Sequence, residues 1–128
     1  AADTPDLKGF SDIQLNGGPC LTYINFHGRG TLAGVLPDKR LLQQLEKTCT
    51  DNGIAFQREV IIGVITENAF IAFHNEGIPT ANIPLPCRYS HTPIETISLI
   101  DLESMVNIFA EFTTTLNRDS TFGKSNTH

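Results

Sequence analysis

The chain has 128 residues, of which 40% are hydrophobic, and a formal net charge of −5, values that fit one globular domain. Its 9 Lys and Arg residues are scattered and form no basic stripe, which argues against nucleic-acid binding. No apolar run approaches the roughly 20 residues of a membrane helix, and the acidic start lacks the apolar core of a signal peptide. We therefore expect neither a nucleic acid nor a membrane as a partner.

The cysteines Cys20, Cys49 and Cys87 make an odd count without a Cys-x-x-Cys pair. Disulfide frameworks normally have an even number of cysteines. We therefore expect free thiols and a reducing, cytoplasmic setting.

The first half of the chain predicts one strand and one helix. Residues 1–18 are polar and broken by Gly and Pro, which is typical of an extended lead-in. Residues 20–26 are short and β-rich, as a strand would be. A glycine-containing loop follows at 27–36, and the Pro-Asp pair after it opens a helix that Gly53 ends. The apolar face of this helix consists of Leu41, Leu42, Leu45 and Cys49.

The second half predicts two strands and two helices. Residues 55–62 indicate a strand that enters a buried sheet, and Thr66 is a candidate N-cap for a short helix that Gly77 ends. Residues 80–85 indicate a third strand, whose end lies at an edge because Pro84 cannot donate a ladder bond. Asp101 is the predicted cap of a last helix. Its apolar stripe, predicted to lie in the core, consists of Leu102, Met105, Val106, Phe109, Phe112 and Leu116.

This β-α-β-α-β-α order predicts an α/β fold, with a largely parallel sheet in a three-layer αβα architecture. In open sheets of this kind, ligands bind at the carboxyl ends of the strands. The polar loop that follows the third predicted strand is therefore a candidate site.

That loop carries Arg88, Tyr89, His91 and Glu95 within eight residues and has a proline near each end. A neutral imidazole is a common ligand for zinc or cobalt, and a carboxylate or carbonyl usually fixes its other nitrogen. Glu95, or a group elsewhere, is the candidate for that orienting contact. The residues alone leave a second interpretation open, in which His91 belongs to a surface loop and forms only local hydrogen bonds.

The same segment resembles a known family. Ile-Pro-Thr at 78–80, Ile-Pro-Leu-Pro-Cys-Arg-Tyr-Ser-His-Thr-Pro at 83–93, then Glu95 and Asp101, resemble the C-terminal motif of metallopeptidase family forty-two, the FrvX-like or tetrahedral aminopeptidases. Asp-Thr-Pro at 3–5, Gly-Pro at 18–19 and Ile-Ala-Phe-Gln at 54–57 resemble further family motifs, in the same order.

The resemblance covers about residues 1–117, which we interpret as part of a zinc-aminopeptidase-like catalytic domain, the C-terminal third of a typical member. Residues 118–128 are predicted to be a polar tail.

The resemblance implies an active site with two divalent metals, usually zinc or cobalt, an Asp that bridges them and a Glu as general base. One metal is held by the His of the Arg-Tyr-x-His motif, which matches His91, while Arg88 and Tyr89 would support the site. The other ligands and the base fall upstream of Ala1 in the family pattern. We therefore expect no catalytic residue in this chain, and weak or no metal binding by the chain alone.

One motif departs from the family pattern. Members carry Gly-Gly-Thr-Asp near the metals, where this chain has Val-Ile-Thr-Glu at 64–67. The glycines that allow close backbone approach are absent, and the carboxylate is one methylene longer. Thr66 and Glu67 are therefore candidate pocket residues whose fit to a substrate is altered.

Two hypotheses follow. In the first, the chain is the C-terminal portion of a cytoplasmic aminopeptidase that removes N-terminal residues from peptides, and is inactive alone. In the second, it is a non-catalytic assembly or regulatory module, or a degenerate paralogue, on the same half-domain. Because part of a sheet exposes a strand edge and apolar faces, we also expect self-association.

Overall fold

A computed structural model describes residues 12–27 and 34–122. The strands are β1 (Cys20–Phe26), β2 (Gly34–Val35), β3 (Gln57–Ile62), β4 (Cys87–Arg88) and β5 (Thr96–Ile97), and the helices are α1 (Lys39–Asp51), α2 (Asn68–Ile71) and α3 (Leu99–Thr115). The predicted α/β class is confirmed, and β2, β4 and β5 are additions to the predicted order. Most of the predicted lead-in and the end of the predicted tail lie outside the described residues. Over those residues, no helix has both the length and the apolarity to cross a membrane.

The main sheet has the order β2-β1-β3 and mixed strand directions. Strand β1 pairs with β3 in parallel, from Cys20 beside Gln57 to Phe26 beside Ile62, with an irregularity after Thr22. Strand β2 pairs antiparallel with the end of β1, and β4 and β5 form a separate antiparallel pair. The predicted β-α-β unit is therefore represented by β1, α1 and β3.

The predicted strand at 80–85 is instead an extended segment that is bonded to β1 without being a strand. The carbonyls of Asn82 and Pro84 accept hydrogen bonds from the amides of Thr22 (3.2 Å) and Cys20 (2.8 Å). Pro84 has no amide to donate in return, so only part of a ladder forms. Thr22 comes after Cys20 in β1, whereas its partner Asn82 comes before Pro84, the partner of Cys20. This segment therefore runs antiparallel to β1.

Helix α1 begins and ends where the sequence predicts. Asp38 is the N-cap, and its Oδ1 accepts from the amide of Leu41 at 2.9 Å. Gly53 follows the helix at a φ of 63°, which suits the left-handed conformation of a helix C-terminus. The amide of Ile54 then donates to the carbonyl of Cys49 at 2.9 Å, which turns the chain back toward the sheet.

The hydrophobic core lies between β1, α1 and α3. Its buried residues are Leu21, Leu42, Leu45, Cys49 and Ile108. Full burial of one such aliphatic side chain stabilises a fold by about 1.5–3 kcal/mol. Since Thr22 follows Leu21 on the strand, it faces the opposite side of the sheet. There it borders a cleft of about 300 Å³ together with Val64 and Thr66.

Two predictions for α3 are wrong. Its N-cap is Ser98, whose Oγ accepts from the amides of Ile100 and Asp101, so Asp101 lies in the first turn. The residue that anchors α3 in the core is Ile108, which is fully buried. Most of the stripe predicted to be core is exposed: Leu102, Val106, Phe109 and Leu116. The α3 surface is apolar around more of its circumference than this core covers.

The short helix also differs from its prediction. Helix α2 begins at Asn68 with Glu67 as N-cap, and no side chain caps it. The hydroxyl of Thr66 instead accepts from Nδ2 of Asn82 at 3.0 Å. Thr66 therefore joins two segments of the chain and does not cap the helix.

Polar side chains fasten the turn that precedes β1. The Gln57 amide bonds to the amide and carbonyl of Gln14 and to the carbonyl of Gly18 at 2.8–2.9 Å. The carboxylate of Asp101, which is fully buried, accepts from the amides of Asn16 (2.9 Å) and Gly18 (2.8 Å). These contacts fix the amino end of β1 against both β3 and α3.

Candidate functional site

The loop after β4 presents His91 to solvent. Tyr89 and His91 both have positive φ angles, 56° and 64°, in the left-handed region that non-glycine residues rarely adopt. Thr92 closes the turn, because its amide (3.1 Å) and its hydroxyl (2.6 Å) both donate to the carbonyl of Tyr89. The His91 side chain is exposed, and Tyr89 is 56% exposed. An accessible imidazole on such a turn can bind a ligand from outside the chain.

Arg88 supports this loop from within. It is half-buried at the end of β4, with its Nε buried, and its backbone pairs with Thr96 of β5. The β4–β5 pair thus fixes both ends of the loop that contains His91. Glu95, the predicted orienting carboxylate, is exposed, and its amide donates to the carbonyl of Thr92.

The predicted position of this loop in the sheet is wrong. We expected it at the carboxyl ends of parallel strands, where ligands of open α/β sheets bind. The segment at 80–84 runs antiparallel to β1, so the chain leaves it near Cys20, at the amino ends of β1 and β3. The strand-end argument therefore gives no support to His91 as a ligand.

Thr66 and Glu67 lie elsewhere. They follow the carboxyl end of β3, where Thr66 bonds to Asn82 and the side chain of Glu67 is exposed. Asn68, next to them, donates to the carbonyl of Ala81 at 3.1 Å and to Oδ1 of Asn82. Within the described residues, no three His, Cys, Asp or Glu side chains cluster to hold a metal ion. His91 as a metal ligand therefore stays a prediction, and no such group of three includes it in this part of the chain.

The sequence analysis missed a buried polar group on the cleft side of the sheet. Oγ1 of Thr22 donates to Oε1 of Glu59 at 2.7 Å, and both side chains are buried. Burial, and secondarily the charge of Glu59, raises the pKa of the Cys20 thiol to about 12. Cys20 is therefore a protonated thiol at neutral pH and not a nucleophile. The signal in the sequence was Glu59, a lone carboxylate within a strand predicted to enter a buried sheet. That prediction is wrong for most of β3, where Val60 and Ile62 are exposed and Glu59 is buried.

Asn25 is a second buried polar residue that the sequence analysis missed. Its side chain is 1% exposed, and neither amide atom has a hydrogen-bond partner in the part of the chain that the structure describes. An unsatisfied buried amide costs about 1–3 kcal/mol. Asn25 lies at the paired end of β1, beside Val35 of β2.

Three comparisons relate the chain to known proteins. "Putative aminopeptidase SgcX" of Escherichia coli strain K12 is 45% identical over 108 residues, which are 84% of this chain and 29% of that protein. The TET aminopeptidase of Thaumarchaeota archaeon SCGC AB-539-E09 has a TM-score of 0.79 at 20% identity, over 91% of this chain and 31% of the other. The dodecamer PhTET1-12s has a TM-score of 0.68 at 23% identity, over 90% and 31%.

These comparisons separate fold from family. The two structural similarities lie below 25% identity and establish the fold alone. The chain spans less than a third of the length of each of these proteins. The sequence profile described as M42 glutamyl aminopeptidase matches residues 1–108, most of the chain. The chain therefore belongs to the M42 glutamyl aminopeptidase family.

Proposed function

We propose that this chain is the C-terminal portion of a metal-dependent aminopeptidase, which removes N-terminal residues from peptides in the cytoplasm. The observation that carries this proposal is the family match over residues 1–108, together with 45% identity to the Escherichia coli relative. The proposed site uses two divalent ions, zinc or cobalt. Such ions would polarise the scissile carbonyl and lower the pKa of a bound water.

His91 is the proposed metal ligand within this chain. Its ring is accessible, and its backbone lies in the left-handed region, which few non-glycine residues adopt. Residues held in such conformations cluster at functional sites, where the surrounding structure maintains them. Arg88 and Tyr89 support the turn from β4, and Thr66 and Glu67 shape the pocket in the whole enzyme.

The isolated chain is proposed to be inactive. One imidazole cannot hold two ions, and the described residues contain no cluster of further ligands. Measurable hydrolysis of an aminoacyl substrate by the purified chain with zinc or cobalt, abolished by His91→Ala, would contradict this statement. Calorimetric titration of the chain with either metal should show weak binding or none.

A non-catalytic module is the second candidate, and one observation favours it. Thr66, at the position of the family's Gly-Gly-Thr-Asp motif, uses its hydroxyl in a bond to Asn82, and Glu67 points to solvent. On this hypothesis, the segment at 66–68 stabilises the contact with residues 80–82 and has no catalytic role. In this case the chain would be an assembly or regulatory unit, or a degenerate paralogue.

Self-association belongs to the same proposal. PhTET1-12s, which shares the fold, is described as a dodecamer. We propose that this chain also binds copies of itself, since its strand and helix surfaces carry exposed apolar side chains.

A chimera separates the two candidate functions. Residues 1–108 would replace the matching segment of the Escherichia coli relative, with the unmodified relative as reference. The enzyme hypothesis expects metal-dependent aminopeptidase activity in the chimera, and a fall in kcat/KM of at least about 100-fold with His91→Ala, because a metal ligand is lost. His74→Ala, at another exposed histidine, is the control and should change little. A folded, inactive chimera beside an active reference would favour the non-catalytic module.

A further inference from the structure

The chain contains two Asn-Gly pairs, at 16–17 and at 52–53. Asparagine is a thermolabile residue, because its side-chain amide can be lost by deamidation. A following glycine favours this reaction, since it has no Cβ to hinder the attack of its own backbone nitrogen on the asparagine side chain. Whether such a pair reacts in a folded chain depends on how firmly the structure holds it, and the two pairs differ in this respect.

The first pair is held by distant side chains. The backbone amide of Asn16 donates to Oδ2 of Asp101 at 2.9 Å, and Oδ1 of Asn16 accepts from Oγ of Ser98 at 2.6 Å. Gly17 lies against the side chain of Gln57, since a Cβ added to Gly17 would be 2.6 Å from it. The bond to Asp101 is charge-assisted, so this turn opens only when a strong hydrogen bond breaks.

The second pair ends helix α1 and is held by the last turn of that helix. Asn52 is the exposed C-cap, and its backbone amide and its Nδ2 both donate to the carbonyl of Thr48, at 3.2 and 3.0 Å. The Gly53 amide donates to the carbonyl of Thr50 at 3.3 Å. Over the part of the chain that the structure describes, no distant side chain is hydrogen-bonded to this pair. Helix ends open locally at little cost in free energy, so the last turn opens more readily than the turn at the first pair.

We propose that Asn52 is a site of spontaneous deamidation. Opening of the last turn frees the Gly53 nitrogen and lets ψ of Asn52 leave its value of 4°, at which that nitrogen lies away from Cγ. The nitrogen loses its proton to water or hydroxide and attacks Cγ. A bond from nitrogen to Cγ forms, the bond from Cγ to Nδ2 breaks, and Nδ2 takes up a proton and leaves as ammonia. Water then hydrolyses the cyclic imide at either carbonyl, which leaves aspartate or isoaspartate at position 52.

Both products weaken the end of α1. An aspartate at position 52 loses the Nδ2 bond to Thr48 and adds a negative charge beside Asp51, at a helix C-terminus with no basic residue in its last turn. An isoaspartate adds a methylene to the backbone directly before the Ile54 amide, which donates to the carbonyl of Cys49. Cys49 belongs to the hydrophobic core, so the change affects folding. This inference concerns a covalent change of the chain itself and goes beyond the proposed peptidase function.

Peptide mapping by mass spectrometry, during incubation of the purified chain at mildly alkaline pH, tests the proposal. The folded chain should convert Asn52 at least about 10-fold faster than Asn16, because the turn at Asn16 must first break its charge-assisted bond to Asp101. In urea, where no fold holds either pair, the two rates should become similar. No conversion of Asn52 in the folded chain, or a rate at Asn16 that equals or exceeds it, overturns the proposal.

A substitution at the first pair tests whether the fold sets this difference. Asp101→Asn removes the charge from the acceptor of Asn16, and should raise the rate at Asn16 at least about 5-fold while the rate at Asn52 stays the same. Ser98→Ala removes the bond to Oδ1 of Asn16, and should also raise that rate if Asp101→Asn does not fold. An unchanged rate at Asn16 in a folded variant would contradict the argument that the turn protects it.

Asn52→Asp reproduces one product and tests its effect on folding. In urea unfolding, the ratio of folded to unfolded chain should fall at least about 4-fold, because a hydrogen bond is lost and a negative charge is added at a helix C-terminus. Asn75→Asp adds the same charge at another exposed asparagine and should change the ratio at most about 2-fold. Equal changes in the two variants would contradict the proposed effect on α1.

Discussion

Two of the turns that contain residues with positive φ are held in different ways. The turn before β1 contains Asn16 and Gly18, at 67° and 89°, and the distant side chains of Gln57 and Asp101 fasten it. The loop at 89–95 contains two such residues, and the hydrogen bonds of these residues in the described structure stay within the loop or reach Thr96. The first turn is part of how the chain folds. The second keeps a disfavoured backbone through hydrogen bonds among its own residues and Thr96.

The largest expected loss of stability is at the turn that precedes β1. A Cβ at Gly18 would lie 2.2 Å from the carbonyl oxygen of Ala55, and the φ of 89° disfavours any L side chain. Gly18→Ala should therefore lower the free energy of unfolding by at least about 3 kcal/mol, or prevent folding. Gly53→Ala is the control, because φ is 63° there and no atom lies within 4 Å, so a loss of about 1 kcal/mol is expected. Urea unfolding measures both, and equal losses would contradict the steric argument.

The next effect tests the anchor on α3. Asp101→Asn keeps the size of the side chain but replaces one acceptor oxygen with an NH₂ group that faces a backbone amide. Since both bonds of the carboxylate are charge-assisted, one of them buried and the other partly buried, we expect a loss of about 2–3 kcal/mol. Asp51→Asn removes an exposed carboxylate paired with Lys47, and should cost at most about 0.5 kcal/mol. A loss below 1 kcal/mol for Asp101→Asn would show that the turn forms without its anchor.

These elements also show what the sequence could predict. Local signals were sufficient for β1 and α1, because a β-rich run and a capped, glycine-terminated helix depend on neighbouring residues. The direction of residues 80–84 is set by their hydrogen bonds to β1. This contact joins distant parts of the chain and has no local signal in the sequence. The same reason explains why Asp101 was taken for a cap: its partners at Asn16 and Gly18 lie more than 80 residues away.

The candidate site was predicted from its position after a strand, an argument that the structure contradicts, and from the resemblance. The Arg-Tyr-x-His motif identified His91, and the family assignment that followed is confirmed. Residue spacing did not predict that His91 and Thr66 would lie at different ends of the extended segment. The apolar stripe of α3 was visible in the sequence, but the exposure of most of it could not be predicted, because two adjacent stripes on α3 competed for one core.

A pH series tests the burial of the Cys20 thiol, which lies directly after the turn that precedes β1. Burial raises the pKa of Cys20 to about 12 and that of Cys49 to about 11, whereas an unfolded thiol titrates near ~8.5. The unfolded chain therefore loses these protons first. Stability from the two thiols should be complete below about pH 8.5 and decline as pH rises through the folded-state values. Cys20→Ala should flatten the decline, and an unchanged slope would assign it to other groups.

The smallest expected change in the free energy of unfolding is at the loop 89–95. The test is whether the substitution raises or lowers that free energy. At a φ of 64°, His91→Gly relieves about 1–2 kcal/mol of backbone strain and costs about 0.4–1 kcal/mol in unfolded-state entropy, so the chain should gain about 0.5–1 kcal/mol. His74, which is exposed and has no positive φ, is the control, and His74→Gly should lose stability. If His91→Gly instead destabilises the chain by more than about 1 kcal/mol, the ring contributes to the fold and the contrast between the two turns fails. A gain in stability, together with loss of activity by the same substitution in the chimera, would mean that the strained backbone of the loop serves the activity of the His91 imidazole.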